Sequence, residues 1–285
     1  MGAGLSKGCK KQRQVNDVHP RNTMAKPISA ASHLKTNDVV FELVVRGGVI
    51  GKRILEVGAG HGYMAQQLGL HIETQGGEPP RILYACDSFP EYFEYDGIDC
   101  QRLHFYDELP FEEMSFDMVY AIEVIEHLEN PIALIREAHR VLMPGGLFIF
   151  TTPNILNANS RIDYLFSGFF ELFGLLSYDS KDAGNVAGHC MPLNYYYLDY
   201  FMRKTGFART EVHIDRIKRS AVFYSLFLYP LIRLVHCIKR WKYRRGMPSV
   251  YEKSASAFQT MNSFLLLTSR SVIMVGHKED EAIHT

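Results

Sequence analysis

A glutamate and a histidine stand side by side near the middle of the sequence. Glu126 and His127 follow an apolar run, and Glu123 lies shortly before them. An imidazole beside a carboxylate can remove a proton from an acceptor hydroxyl, or it can orient that acceptor. These residue types indicate general acid–base chemistry, with Glu126 and His127 as the candidate catalytic residues.

A glycine-rich turn indicates a binding site for a ligand. Gly58, Gly60 and Gly62 alternate with other residues directly after the apolar run at 53–57. Glycine has no Cβ, so the backbone can turn sharply there and approach a ligand closely. The helix that follows would point its N-terminus at the same ligand. The third glycine follows the second at a shorter spacing than in the dinucleotide fingerprint, which disfavours a nicotinamide-dependent oxidoreductase.

Alternating strands and helices are predicted around these residues. Short apolar runs predict strands at 53–57, 82–86, 101–106, 116–122, 147–152, 207–214 and 271–276. Helical spacing predicts helices at 34–45, 63–70, 131–142 and 193–205, with a polar loop at 71–80 and a turn at 144–146. Strands and helices that alternate at these lengths predict an α/β fold with a parallel sheet and right-handed crossovers.

Size and composition favour one cytoplasmic domain. The chain has 285 residues, a formal net charge of zero and five scattered cysteines. Zero net charge argues against a dedicated nucleic-acid binder, and no nucleic-acid partner is expected. The unpaired cysteine spacing and the lack of a secretory signal favour a reducing cytoplasm.

The N-terminal segment is predicted to be a flexible basic arm over residues 1–33, which precedes a domain at 34–285. Its first residues, with Gly2 and Ser6 followed by Cys9 and several lysines, match the N-myristoylation pattern. A basic tail without lipid explains the same composition. The sequence leaves both interpretations open.

Acidic residues at strand ends complete a pattern that resembles the class I S-adenosylmethionine-dependent methyltransferases. The first strand ends in Glu56 and the three glycines, the second ends at Asp87, and the third is closed by Asp107. The resemblance covers roughly residues 34–154 with specific motifs. It implies a Rossmann-like seven-stranded, mostly parallel sheet in the order 3-2-1-4-5-7-6. Strand 7 would be antiparallel, helices would cover both faces, and further helices would form an acceptor lid.

The resemblance also implies which residues hold S-adenosylmethionine. In the family, the acid after strand two accepts hydrogen bonds from the ribose hydroxyls, which assigns this role to Asp87, and the acid after strand three receives the adenine amino group, which assigns that role to Asp107. The implied cofactor-binding set comprises Glu56, Gly58, Ala59, Gly60, Gly62, Asp87, Asp107 and Glu123.

The Glu-x-x-Glu-His sequence resembles a metal-binding pattern of some relatives, which include small-RNA 2′-O-methyltransferases and ubiquinone-pathway O-methyltransferases. This likeness implies that Glu123, Glu126, His127 and a later histidine, His189, hold a divalent ion such as Mg²⁺. Such an ion would lower the pKa of an acceptor hydroxyl. Other relatives carry Glu-His here without a known metal, so both interpretations stay open.

The resemblance implies methyl transfer, and His127 favours oxygen as the acceptor atom. The alternatives are an N- or C-methyltransferase of a soluble metabolite, or a catalytically silent interaction module. Residues 155–206 and 217–265 are predicted insertions that cover a small or lipid-linked acceptor. Residues 221–245 combine apolar and basic side chains, which predicts peripheral contact with the cytoplasmic face of a membrane, although core helices explain the apolar runs as well.

Overall fold

The computed structural model describes residues 27–104, 106–177 and 188–280 of the chain. The strands are β1 Ile54–Val57, β2 Leu83–Asp87, β3 Cys100–Arg102, β4 Phe116–Ala121, β5 Leu142–Pro153, β6 Phe207–Ile214 and β7 Ser271–Lys278. The helices are α1 Leu34–Arg46, α2 Tyr63–Thr74, α3 Pro79–Ile82, α4 Pro131–Val141, α5 Ala158–Ser167, α6 Tyr195–Thr205, α7 Arg219–Gly246, α8 Pro248–Thr260 and α9 Phe264–Thr268.

The strands form one sheet in the order β3-β2-β1-β4-β5-β7-β6. β1 pairs in parallel with β2 and β4, whereas β7 runs antiparallel to both β5 and β6. The predicted α/β fold, its strand order and the antiparallel seventh strand are therefore confirmed. Because β1, β2 and β4 are adjacent and parallel, their carboxyl ends meet at one edge of the sheet, where ligands of such folds bind.

Alternation along β1 divides its side chains between two apolar cores. Leu55 and Val57 pack on the face that carries α4, and Ile54 packs on the face covered by α1 and α2. Every residue of β1 is buried, as expected for a central parallel strand. By the same alternation, Glu56 lies on the α1–α2 face, beneath the start of α2.

Three element boundaries differ by more than two residues from the sequence-based predictions. α2 continues to Thr74, into the first part of the predicted polar loop, because Ile72 is fully buried. β5 begins at Leu142 rather than after the predicted turn, with a shift in its register against β4. β3 ends at Arg102, so Asp107 does not follow the strand directly.

Residues 27–33 correct the predicted extent of the N-terminal arm. Ile28 is buried against Ala65 and Tyr95, and its backbone N–H donates to Gln66 Oε1 at 3.1 Å. The arm was predicted from polar composition, which does not reveal that one isoleucine anchors the segment. The prediction of a flexible arm is therefore wrong for residues 27–33. Residues 1–26, with the predicted myristoylation pattern, lie outside the described residues.

Most of the helices in the C-terminal half lie within residues 155–206 and 217–265. α5 and α6 lie within 155–206, and α7, α8 and α9 follow β6. α7 has 28 residues and is long and apolar enough to cross a membrane by length and composition. Its apolar side chains are largely exposed, in contrast to those of α4.

Candidate active site

The glycine turn has the backbone that its sequence predicts. Gly58, Gly60 and Gly62 have φ angles of 74°, 52° and 86°, a region that side-chain-bearing residues rarely adopt. A Cβ on Gly58 would lie 2.4 Å from Val124 Cγ2, whereas a Cβ on Gly60 would meet no atom within 4 Å. Gly58 is therefore required for packing, and Gly60 borders open space at the carboxyl end of β1.

Glu56 places a buried carboxyl group beneath this turn. Burial raises its pKa to about 8, although hydrogen bonds from Tyr120 and the backbone of Ala65 favour the charged form. One carboxyl oxygen, Oε2, has no hydrogen-bond partner among the described residues. A buried acceptor with a free oxygen next to a cavity fits a ligand that donates a hydrogen bond.

Asp87 connects the end of β2 to the glycine turn. Its Oδ2 accepts a hydrogen bond from Gly60 N at 2.8 Å, and its Oδ1 accepts one from Phe89 N at 2.8 Å. Each carboxylate oxygen can accept a further hydrogen bond, so these contacts leave capacity for the predicted ribose hydroxyls. Asp87 also orients the amide of Gly60, a function that the sequence did not indicate.

Asp107 is exposed, and it does not line the cavity beside the glycine turn. The segment that follows it is fixed by α4. Glu137 Oε2 accepts a hydrogen bond from Leu109 N at 2.8 Å, and Arg140 Nη2 donates one to Leu109 O at 3.2 Å. Burial alone would raise the pKa of Glu137, but hydrogen bonds from Arg140 and Leu109 lower it. No local pattern indicates this clamp, because its residues are separated along the chain.

A cavity of about 240 Å³ lies against the glycine turn. Its walls include Glu56, the turn from Gly58 to His61, and Glu123, His127 and His189. Residues 29–32 form another wall. The prediction of a flexible arm over residues 1–33 did not include this role. The cavity brings part of the predicted donor site together with the predicted catalytic histidine, whereas Asp87 and Gly62 do not line it.

A larger cavity, of about 600 Å³, lies between α4 and α6 beside Lys278. It includes Glu113 and Met114, which precede β4, and therefore lies at the opposite edge of the sheet from the glycine turn. Because ligands of parallel α/β sheets bind at the carboxyl ends of strands, we assign the functional site to the smaller cavity.

The rings of His127 and His189 contact each other in the wall of the smaller cavity. Their ring centroids are 4.8 Å apart in an edge-to-face arrangement. His127 Nδ1 lies 3.2 Å from Gly188 O, and His189 Nδ1 lies 2.7 Å from Leu172 O. Because a carbonyl only accepts, each Nδ1 carries a proton and each Nε2 keeps its lone pair in the neutral ring. Burial and the neighbouring His189 lower the pKa of His127, which favours that neutral form.

Glu126 is fully buried beside the two histidines. Its carboxyl oxygens lie next to Thr152 but have no aligned hydrogen-bond partner among the described residues. Burial raises its pKa to about 8. Its backbone carbonyl accepts hydrogen bonds from Cys190 N and Met191 N, each at 3.0 Å. These bonds hold the segment after His189 against the turn that follows β4. Glu126 therefore positions His189 through its backbone.

The structure brings three of the four predicted metal ligands together. Glu126, His127 and His189 each offer a ligand atom, and these atoms lie within 4.8 Å of one another. The prediction that Glu123 belongs to this set is not supported, because its carboxylate lies 3.4 Å from Arg270 Nη1 and 3.3 Å from Ser271 Oγ. A φ of 52° at Glu123 turns the backbone there. The three remaining donors fit a divalent ion.

Comparisons with known proteins identify the family of the chain. A sequence profile described as "Methyltransferase domain" matches residues 25–211. The ubiquinone biosynthesis O-methyltransferase of Pseudomonas syringae pv. tomato is 29% identical over 153 residues, which cover 52% of this chain and 60% of that protein. The enzyme of that description from Neisseria meningitidis is 31% identical over 113 residues, with 36% and 45% covered. The chain thus spans less than two thirds of these relatives.

Similar solved structures include two methyltransferases. Phosphoethanolamine N-methyltransferase 2 of Haemonchus contortus, in complex with S-adenosyl-L-methionine, has a TM-score of 0.45 and 17% identity, and the match covers 85% of this chain and 53% of that chain. A SAM-dependent methyltransferase from Archaeoglobus fulgidus has a TM-score of 0.49 and 12% identity, with 85% and 94% covered.

The chain belongs to the methyltransferase-domain family, since the profile covers more than half of its length. Its strand order is that of the class I S-adenosylmethionine-dependent methyltransferases.

Proposed function

We propose that this protein transfers a methyl group from S-adenosylmethionine to a hydroxyl oxygen of a small or lipid-linked acceptor. The observation that carries the proposal is the single cavity that joins the open side of Gly60 to the His127–His189 pair. A methyl donor on the glycine turn and an acceptor beside the histidines would be neighbours there.

The protein's own contribution is positioning and proton removal. When bound, S-adenosylmethionine supplies an electrophilic methyl group on a sulfonium. Glu56 and Asp87 would accept hydrogen bonds from the donor, and the turn would approach it without side-chain obstruction. His127 Nε2, whose lone pair is free when Nδ1 donates to Gly188 O, would accept the acceptor proton. Arg270 neutralises Glu123 nearby.

Oxygen as the acceptor atom is supported by the histidine pair and by the similar O-methyltransferases. A hydroxyl needs a base to become a good nucleophile, whereas a neutral amine does not. An N-methyltransferase that acts on a neutral amine would not require the base, and a silent interaction module would require neither donor nor base. A C-methyltransferase would require a base, because the acceptor carbon loses a proton. Turnover of His127 variants therefore separates O- from N-methylation, and the structure of the labelled product separates O- from C-methylation.

A bound divalent ion is a second proposal for the same cluster. Glu126, His127 and His189 would hold it, and it would lower the pKa of the acceptor hydroxyl. In that arrangement the lone pair of His127 Nε2 would bind the ion, so the ion would replace His127 as the group that activates the hydroxyl. Two imidazoles and one carboxylate favour a first-row transition ion over Mg²⁺, which prefers an all-oxygen set. The hydrogen bonds from each Nδ1 to a backbone carbonyl are the outer contacts that orient metal-binding histidines.

The experiment is transfer of labelled methyl from S-adenosylmethionine into fractionated host extract, with lipid and soluble pools counted separately. We expect the label in a product that is stable to both acid and base, as a methyl ether is, and turnover about 10²- to 10⁴-fold lower in His127→Ala. Binding of S-adenosylmethionine, measured by calorimetry, should be retained in that variant. A protein that binds the donor but labels no pool would overturn the proposed activity.

The metal is tested by elemental analysis of the purified protein and by turnover in chelator. The proposal predicts about one equivalent of a transition ion, which is lost in both His127→Ala and His189→Ala. Glu123→Gln is the matched control and should keep its metal, because Glu123 lies outside the cluster. Full turnover in chelator with no bound ion would overturn the proposed metal site, and the proposed methyl transfer would still stand.

A further inference from the structure

α7 turns its large apolar side chains away from the protein. The residues that it buries against its neighbours are Ala221, Ser225 and His236. A helix of a globular protein normally buries its apolar stripe and exposes its polar one. α7 has the reverse arrangement. The packing of this domain therefore gives no reason for the large apolar side chains on the exposed side of α7.

Six of the exposed apolar residues of α7 form one continuous line, which we name the outer stripe. It consists of Phe223, Phe227, Leu231, Leu234, Ile238 and Trp241, and each of these side chains is between 57% and 69% exposed. Spacings of three and four residues keep them on one side of the helix. From Phe223 to Trp241 the stripe is about 27 Å long, at the rise of an α-helix.

A second exposed apolar segment lies beside the start of α7. It includes Leu165 and Phe166 at the end of α5, and Phe169, Leu172 and Leu175 after it. Asn159 Nδ2 donates to Ser220 Oγ at 2.8 Å, which joins the beginnings of α5 and α7. Lys218 pairs with Glu171, which joins the later segment to the residue before α7. The outer stripe and this segment, 165–175, together form the docking face.

The charge of α7 identifies the partner of this face. The helix contains seven lysine and arginine side chains and no acidic one. Four of them are Lys239, Arg240, Lys242 and Arg244, and the guanidinium of Arg245 lies 4.7 Å above the Trp241 ring. A long apolar stripe with a basic cluster and an indole at one end is complementary to an anionic membrane surface.

The contacts of α7 favour a helix that lies on the membrane rather than one that crosses it. Its inner side packs against α5, α8 and α9, so protein covers that side along the helix. His236, on that side, stacks on Phe258 of α8 with ring centroids 4.4 Å apart. A spanning helix would be surrounded by lipid and would separate these contacts.

The docking face adjoins the candidate active site. Leu172, which belongs to this face, accepts a hydrogen bond from His189 Nδ1 through its carbonyl. The next residue, Phe173, has its ring centroid 5.3 Å from that of His189. A molecule that leaves a bilayer beneath the segment 165–175 would therefore arrive next to the histidine pair.

We infer that the docking face binds an anionic membrane surface and that a lipid-borne acceptor enters the active site from it. The first part stands independently of catalysis, and the second rests on the proposed methyl transfer. The membrane would supply the apolar cover that the outer stripe lacks, and it would concentrate the acceptor at the His127–His189 pair.

The test is flotation of the full chain with vesicles, after production in a host without N-myristoyltransferase so that Gly2 carries no lipid. Vesicles of phosphatidylglycerol and phosphatidylcholine are compared with phosphatidylcholine alone. We expect the anionic vesicles to bind the protein at least about tenfold more tightly, and the difference to shrink in high salt.

Two variants separate the apolar and the charged contributions. Phe227→Glu with Leu231→Glu should weaken binding by about tenfold or more, as should Lys239→Gln with Arg240→Gln and Lys242→Gln. The matched control is Ile50→Glu with Leu70→Glu, because these side chains are also exposed but lie outside the docking face. The control should bind vesicles as the unaltered protein does, and all variants should bind S-adenosylmethionine.

Equal vesicle binding by all variants, or no preference for anionic vesicles, would overturn the inference. A second copy of the chain is the other occupant of this face. A dimer that the glutamate pair dissociates, without vesicle binding, would also overturn it. With labelled donor and vesicles of host lipid extract, the glutamate pair should lose methyl transfer to lipid. Vesicle binding with no methylation in any pool would refute the proposed activity and keep the membrane contact.

Discussion

His189 Nδ1 donates a hydrogen bond to the carbonyl oxygen of Leu172 at 2.7 Å. Leu172 has a φ of 70°, a left-handed backbone that is strained for a leucine. This conformation is stabilised by its surroundings, as is typical of functional segments. The bond fixes the orientation of His189 and leaves its Nε2 free beside His127. The apolar segment at the surface thus orients one of the two histidines of the candidate active site.

The two histidines are predicted to act as one unit. We expect His127→Ala and His189→Ala each to lower turnover, because each removes a nitrogen from the same cluster. The double variant should be only about threefold or less below the poorer single variant, since the unit is already lost. Single-turnover rates with saturating donor measure this. A double variant whose loss of turnover equals the product of the two single losses would contradict the prediction. It would show that the two rings have separate roles.

Gly60→Ala is predicted to impair donor binding more than folding. The substitution strains a left-handed backbone by about 1 to 2 kcal/mol and puts a methyl group into the open side of the turn. Gly51→Ala is the matched control, since Gly51 has a φ of 77°, open surroundings and a position outside the cavity.

Both variants should lose similar stability in urea, and Gly60→Ala alone should bind S-adenosylmethionine at least about tenfold more weakly. Gly58→Ala should be the least stable of the three, because its methyl group would overlap Val124. Equal donor affinity in the Gly60 and Gly51 variants would contradict the assigned position of the donor.

The clamp on Leu109 is predicted to support donor affinity. Glu137→Ala removes the acceptor of Leu109 N and the partner of Arg140, so the segment after Asp107 should loosen. We expect the dissociation constant for S-adenosylmethionine to rise about three- to tenfold, with turnover at saturation nearly unchanged. Arg136→Ala, on the same helix, serves as the control. An unchanged dissociation constant for S-adenosylmethionine in Glu137→Ala would show that the segment after Asp107 does not contribute to donor binding.

Glu56 is predicted to make stability depend on pH. Burial raises its pKa in the folded protein from the ordinary 4.5 to about 8. Between these values the folded state keeps a proton that the unfolded state has lost, so the free energy of unfolding decreases as pH rises from 4.5 to 8. A single group of this kind contributes at most about 1.4 kcal/mol per pH unit.

Glu56→Gln stays neutral, so it should become more stable than the unaltered protein as the pH rises through this window. Urea unfolding at several pH values measures the difference, with the exposed Glu42→Gln as the control. Glu126 is unaltered in both proteins, so its contribution cancels in the comparison. Parallel stability profiles for Glu56→Gln and the unaltered protein would contradict a raised pKa.

Local patterns predicted most of the secondary structure, because they depend on neighbouring residues. The apolar run before Gly58 and the helical spacing of α4 each indicate one element, and both formed as predicted. The end of β3 and the length of α2 were wrong, since they depend on pairing with β2 and on packing of Ile72. Ile28 shows the same limitation, because its burial requires partners on α2.

The sequence by itself determined the glycine turn and the identity of the chemical groups, since residue types and short spacings encode them. Its resemblance to the class I methyltransferases implied the strand order, which no short spacing specifies. Only the tertiary structure decided which groups meet. It placed His189 against His127 and directed Glu123 to Arg270. It also exposed the apolar side of α7. The physical reason is that such contacts arise from packing between segments far apart in the chain, which no local pattern specifies.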